Sequence, residues 1–223
     1  GSDAMAGLAR ELTADIAKGI PGAQLNWTEA QSGKVRNQIP DQAVASADVR
    51  LTRPDAAARL QAALDDNRRA VDEAVTLGAP CLVLVVGSLP GALEGRPLHK
   101  DIARARREVQ HGIAGTLEYA RSVGMPLAIE PLHPMQAAER ACINTLAQAL
   151  DVCDALDPAR SGALGVAVDM YHVWWDPQLL DAVRRTGEAN RLVSYQVADW
   201  ALPLHADPLN SRGYMGDGYI NFA

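Results

Sequence analysis

Two short apolar runs in this 223-residue chain end in a carboxylate, Pro126–Glu130 (PLAIE) and Leu164–Asp169 (LGVAVD). His172 follows Asp169 by three residues, so Asp-Met-Tyr-His can aim two kinds of ligand at one point. Asp199 and Trp200 follow a further apolar run, and Asp217 sits in the tail between Gly216 and Gly218. Carboxylates and an imidazole gathered on one rim suit a divalent metal of the Mn, Mg, Zn or Co type. Such a metal holds two oxygens of a hydroxy-carbonyl compound and stabilises an enediolate while an acid moves the proton. Each residue also has a plainer reading. A strand-end acid often caps the following helix, and a lone His is often structural. Trp174 and Trp175 serve as core or as a substrate wall.

Parallel strands are the elements that would bring these residues together. Residues 81–87, 126–130, 164–169 and 192–199 read as strands buried on both faces. Helical patterns lie between them at 101–123, at 145–157 behind an Asn144 N-cap, and from Asp176 to about 189. Strand–helix alternation at this spacing implies βαβ units and a parallel sheet, whose strand C-termini share one face. The first 60 residues follow a different pattern. Residues 7–19 read as a helix and 23–31 and 42–52 as strands, the second with Ala43, Ala45, Ala47, Val49 and Leu51 on one face. Pro54 opens a helix to about residue 77 and Gly78 closes it. That is an α+β segment, helix-strand-strand-helix, ahead of an α/β segment. The opening Gly-Ser-Asp-Ala-Met reads as an expression scar, and the tail 200–223 has no strong periodicity.

Composition excludes several classes. The 48% hydrophobic and 22% charged content is ordinary for a globular protein, and the 4% aromatic content leaves the core to aliphatic residues and Ala. A net charge of −6 gives no footprint for nucleic acid or an anionic membrane. No apolar run approaches the roughly 20 residues of a membrane helix. Cys81, Cys142 and Cys153, odd in number and widely spaced, argue for reduced thiols and a cytoplasmic protein.

The run DDNRRAVDEAVTLGAPCLVLVVG resembles the helix and fourth strand of the xylose-isomerase-like sugar-phosphate isomerase/epimerase barrels. AIEPLHP is similar to their fifth-strand segment, VAVDMYHVWWD to the sixth, and SYQVADW to the seventh. SRGYMGDGYINF resembles the loop before the eighth. The resemblance implies a partial, half TIM-barrel-like parallel sheet over residues 61–223, carrying strands four to seven. It implies Glu130 and Asp169 as metal ligands and Glu130 and His172 as catalytic groups. Arg212, Asp199 and Trp175 become expected substrate contacts. Gln196 stands where the family usually carries a metal-binding His, and serves here as an uncharged ligand. The chain stops at Ala223, before the strand that brings the family's last glutamate. Weak or lost activity toward a small-molecule sugar is therefore expected.

Residues from about 15 to 60 resemble the lid, or dimerisation, domain of glutamate-carboxypeptidase-type zinc peptidases, on Val-Arg-Asn-Gln-Ile-Pro and Ala-Asp-Val-Arg. There Asn37 and Arg50 match contacts to a substrate carboxylate, and read here as relics. The expected organisation is a chimera of a lid-like segment (6–60) and a partial barrel (61–223), joined inside one helix, either as two pieces or merged into one domain. Exposed strand edges in both pieces predict a homo-oligomer, a dimer by the simplest symmetry. The alternatives to a metal-dependent isomerase/epimerase are a non-catalytic scaffold that self-associates and a peptidase lid fragment.

Overall fold

The structure, a computed structural model, describes residues 23–32, 43–51, 54–92, 95–205 and 208–222. It divides into two compact units, residues 1–66 and 67–223. Within the first, β1 (Ala23–Ser32) and β2 (Ala43–Leu51) form an antiparallel pair, in register from Ala23 opposite Leu51 to Ser32 opposite Ala43. A bulge between Trp27 and Glu29 shifts the ladder once. Helix α1 (Pro54–Thr76) opens on its proline as the sequence predicts. The expected helix at 7–19 lies outside the described residues.

The second unit is the parallel sheet. Its strands are β3 (Leu82–Leu84), β4 (Leu127–Ile129), β5 (Leu164–Asp169) and β6 (Leu192–Gln196), in the spatial order β3-β4-β5-β6 and all parallel. Helices α2 (Ile102–Val123), α3 (Leu146–Leu156) and α5 (Leu179–Glu188) make the crossovers, and α4 (Met170–Val173) is a single turn after β5. This α/β arrangement is that of a partial TIM barrel, and four of the expected strands stand in the expected order. Every residue of β4 and β5 is buried, which is why they read as unbroken apolar runs. Leu127, Ile129, Leu164 and Val166 pack with Leu117 of α2 and Leu146 and Leu150 of α3 in one core. Each such side chain contributes about 1.5–3 kcal/mol by leaving water.

Several boundaries differ from the sequence reading. β3 is three residues, not seven, because its neighbour β4 is only three long; past it, the Gly87 carbonyl accepts from Cys142 N–H at 2.8 Å. Thr145, not Asn144, caps α3: its hydroxyl accepts from Gln148 N–H at 3.2 Å, and the Gln148 side chain reaches back to complete a capping box. Asn144 instead donates to the Leu132 and Ala141 carbonyls at 3.0 and 2.9 Å, which ties down the loop carrying His133. α5 starts at Leu179, after a turn in which Asp176 accepts from Gln178 N–H at 2.9 Å. The run 192–199 divides: β6 ends at Gln196, and β7 (Asp199–Trp200) pairs antiparallel with β8 (Arg212–Gly213) from the tail.

Candidate metal centre

Parallel register sets the site. Ile129 lies opposite Val166, so the residues following β4 and ending β5 emerge at the same end of the sheet. Glu130 is the first residue past β4, its N–H held by the Leu84 carbonyl at 3.0 Å. Asp169 is the last residue of β5, and its Oδ1 accepts from Tyr171 N–H at 2.9 Å, capping α4. That turn of helix brings His172 back over Asp169, with Nε2 3.9 Å from Oδ2. Ligand atoms of Glu130, Asp169 and His172 all lie within 4.8 Å of one another, and all three residues are buried. Gln196 is the partner of Asp169 across the β5–β6 ladder. Paired residues on neighbouring strands share a face, so Gln196 and Asp169 leave the sheet on the same side.

The electrostatics follow from burial. Desolvation raises the Glu130 carboxyl to about 7, helped by the neighbouring Asp169 carboxylate and opposed by Arg212. No hydrogen bond to the Glu130 carboxylate exists among the described residues. A buried carboxylate with no hydrogen-bond donor and a second one close by is only partly compensated by the Arg212 charge. Desolvation also pushes His172 down, against the pull of Asp169, so its imidazole is neutral at pH 7. Two carboxylates with a neutral imidazole beside them form an oxygen-rich site suited to a divalent Mn, Mg, Zn or Co ion. The residues present therefore fit a metal.

Around this cluster the tail forms a wall. Arg212 on β8 donates from Nη1 to Asp169 Oδ2 at 3.0 Å, and its Nη2 lies 3.1 Å from His172 Nε2. Its guanidinium carbon is 4.4 Å from the centre of the Tyr171 ring. Trp175 donates from Nε1 to the His172 carbonyl at 2.8 Å and meets His133 edge-on. Asp199 is fully buried. Its oxygens accept from the backbone N–H groups of Trp200, Gly216, Gly218 and Ile220 at 2.8–3.0 Å. Desolvation works to raise its carboxyl, but these four donors outweigh it and hold the group below the usual carboxylate range. The structure thus gives Asp199 a scaffold place, shaping the tail that carries Arg212. Asp217 is exposed and stands outside the cluster. Asn37 lies outside the described residues, and Arg50 is placed only as a member of β2 opposite Gln24.

Two neighbours had no signal in the sequence. The backbone N–H of His133 donates to His172 Nδ1 at 3.3 Å, a contact made by main chain and so silent in residue type. Gln136, in a 3₁₀ turn, is buried with its Oε1 unpartnered, and lines a small cavity with His133, Tyr171, His172 and Trp200. A larger cavity of about 390 Å³ lies in the loop between β3 and α2, lined by Pro90, Arg96, His99 and Lys100 among others, and includes none of the cluster.

The model of the xylose isomerase-like TIM barrel family matches residues 27–223. A crystal structure of a protein from Sinorhizobium meliloti 1021 is 54% identical over 75% of this chain and 56% of its own, with a TM-score of 0.65. D-allulose 3-epimerase from Methylomonas sp., solved with D-allulose, is 20% identical over 77% of this chain and 51% of its own, with a TM-score of 0.54. The IOLI protein, solved with a zinc atom, is 16% identical over 71% and 52%, with a TM-score of 0.52. These last two likenesses are of fold alone. The chain covers between 51% and 56% of the length of the three. No curated protein matches the chain. With four parallel strands in barrel order and the family match over residues 27–223, this chain belongs to the xylose isomerase-like TIM barrel family.

Proposed function

We propose that this chain carries the metal-holding part of a sugar isomerase or epimerase site. The observation that supports it most is the buried Glu130–Asp169–His172 cluster at the C-terminal end of a parallel sheet. In this reading Glu130, Asp169 and Gln196 hold a divalent ion. When bound, the ion polarises adjacent oxygens of a hydroxy-carbonyl sugar and lowers the cost of removing the proton between them. His172 supplies a neutral imidazole beside that carbon. Arg212 offers N–H donors to substrate oxygens, and Trp175 walls the site. Glu130, with a carboxyl near 7 in the metal-free site, is neutralised there by a proton and, in this reading, by the ion when one is bound.

The activity of the whole protein is part of the proposal, and weak or absent turnover by these 223 residues is compatible with it. The test is solvent exchange. The protein and a panel of keto- and aldo-sugars are placed in D₂O with Mn²⁺, and deuterium at the carbon next to the carbonyl is followed by NMR. Metal-dependent exchange, lost in Asp169→Ala, supports the reading. Binding of metal without exchange for any sugar removes the catalytic part of it.

A second reading, a self-associating scaffold, is supported by β6. Leu192 and Tyr195 are 54% and 60% exposed on a strand at the edge of the four-stranded sheet. Light scattering decides it, with a homodimer expected. A lid-type origin of residues 15–60, spliced to the barrel segment, stands as a third proposal. It is supported by the antiparallel β1–β2 ribbon and carries no activity of its own.

A further inference from the structure

We propose that Arg212 holds the cation position beside Glu130 and Asp169, and that a divalent ion enters only by displacing it, so that Arg212 guards the metal site. The inference rests on the metal-site reading above and adds a competitor built into the same chain.

Charge is the first argument. Glu130 and Asp169 are two buried carboxylates with ligand atoms within 4.8 Å of one another, and among the described residues Arg212 is the cationic side chain paired with Asp169. Its Nη1 lies 3.0 Å from Asp169 Oδ2, an oxygen that a metal in the cluster would also need. A divalent ion on that oxygen would meet the positive charge of the guanidinium at close range.

The second argument is a count of protons on His172. Its Nδ1 faces the N–H of His133 at 3.3 Å, and its Nε2 faces the Arg212 guanidinium at 3.1 Å. A neutral imidazole has one acceptor nitrogen and one N–H. One of the two contacts therefore sets donor against donor, and a protonated ring would make both do so. Withdrawal of Arg212 relieves the conflict: Nδ1 then accepts from His133, and Nε2–H turns toward the Asp169 carboxylate.

The third argument is a way out. The Arg212 side chain is 39% exposed and sits on a two-residue strand whose ladder partners are Asp199 and Trp200. The Tyr171 ring, already 4.4 Å away, offers a cation–π seat that does not depend on Asp169.

The test is calorimetric titration of Mn²⁺ into wild type, Arg212→Met and Arg212→Lys at about pH 8, with thermal unfolding of each protein with and without Mn²⁺. Removing a charged competitor is expected to tighten Mn²⁺ binding by about tenfold or more in Arg212→Met. Lysine keeps the charge without the fork, so Arg212→Lys should fall between. Mn²⁺ should also raise the unfolding temperature more in Arg212→Met than in wild type. A residue that merely shaped the site would move affinity the other way. Equal or weaker binding in Arg212→Met, with wild type still binding, overturns the inference and leaves the metal site standing. Binding in Arg212→Met alone supports it in its strongest form. No binding in any of the three overturns both. Should Arg212→Met fail to fold, no gain in Arg212→Lys is enough to reject the inference.

Discussion

The backbone N–H of His133 reaches the Nδ1 of His172 at 3.3 Å, joining the loop after β4 to the helical turn after β5. With Arg212 withdrawn and Nδ1 accepting, a neutral His172 carries its proton on Nε2 and presents a donor rather than a lone pair to the cluster. His172 is then a proton-handling group beside the metal, while Glu130, Asp169 and Gln196 bind it. His172→Ala should leave Mn²⁺ affinity within about tenfold of wild type and abolish solvent exchange on the sugar. A loss of affinity beyond about hundredfold would make His172 a ligand instead.

Protons compete with the metal for Glu130. Its carboxyl sits at about 7 in the metal-free site, whereas His172 is neutral down to much lower pH. Apparent Mn²⁺ affinity should therefore be level above pH 7 and fall about tenfold per pH unit below it. Titrations at four or five pH values measure the slope, and a flat profile through pH 6 would exclude Glu130 as a ligand.

The same shift has a stability consequence. The folded state raises Glu130 from 4.5 to about 7, so between those values the metal-free fold binds the extra proton and loses stability as pH rises. Glu130→Gln removes this loss. It should match wild type near pH 4.5 and exceed it by at most about 3 kcal/mol above pH 7. His172, lowered by burial, acts in the opposite sense in both proteins and cancels in the comparison. Chemical denaturation of both proteins with a chelator present reads the difference. An advantage for Glu130→Gln that shrank as pH rose would contradict the assignment.

Asp199 and Gly218 form one joint. Asp199→Ala strips acceptors from four backbone N–H groups and should cost about 2–4 kcal/mol. A Cβ at Gly218 would lie 2.2 Å from the Trp200 carbonyl oxygen, so Gly218→Ala must push the tail outward. Both changes should lower the unfolding temperature and release Arg212 from its place over Tyr171. Unchanged unfolding of Asp199→Ala would show that the four contacts do not hold the tail.

Much of this arrangement was legible because burial on both faces leaves plain runs such as Pro126–Glu130 and Leu164–Asp169, with the acid marking where each strand ends. The three-residue step from Asp169 to His172 was readable for the same reason, since one helical turn closes it. Asn144 misled because it is a good cap type one position too early; Thr145 and Gln148 form the reciprocal pair, and Asn144 bonds the loop instead. Asp199 is an expected substrate contact by the resemblance; its four backbone amide partners are contacts that sequence does not display. The His133 amide was invisible for that reason too, and Gln136, its Oε1 unpartnered, belongs to no spacing pattern. The Arg212–Asp169 contact spans 43 residues and depends on the path of an aperiodic tail.

The most direct test of the metal site is equilibrium dialysis of wild type and Glu130→Ala against Mn²⁺, followed by elemental analysis of the folded fractions. The predicted result is about one ion per wild-type chain, the expected stoichiometry of one closed site, and almost none in the variant. Equal metal in both proteins, or a well-folded wild type that takes up none, would contradict the site.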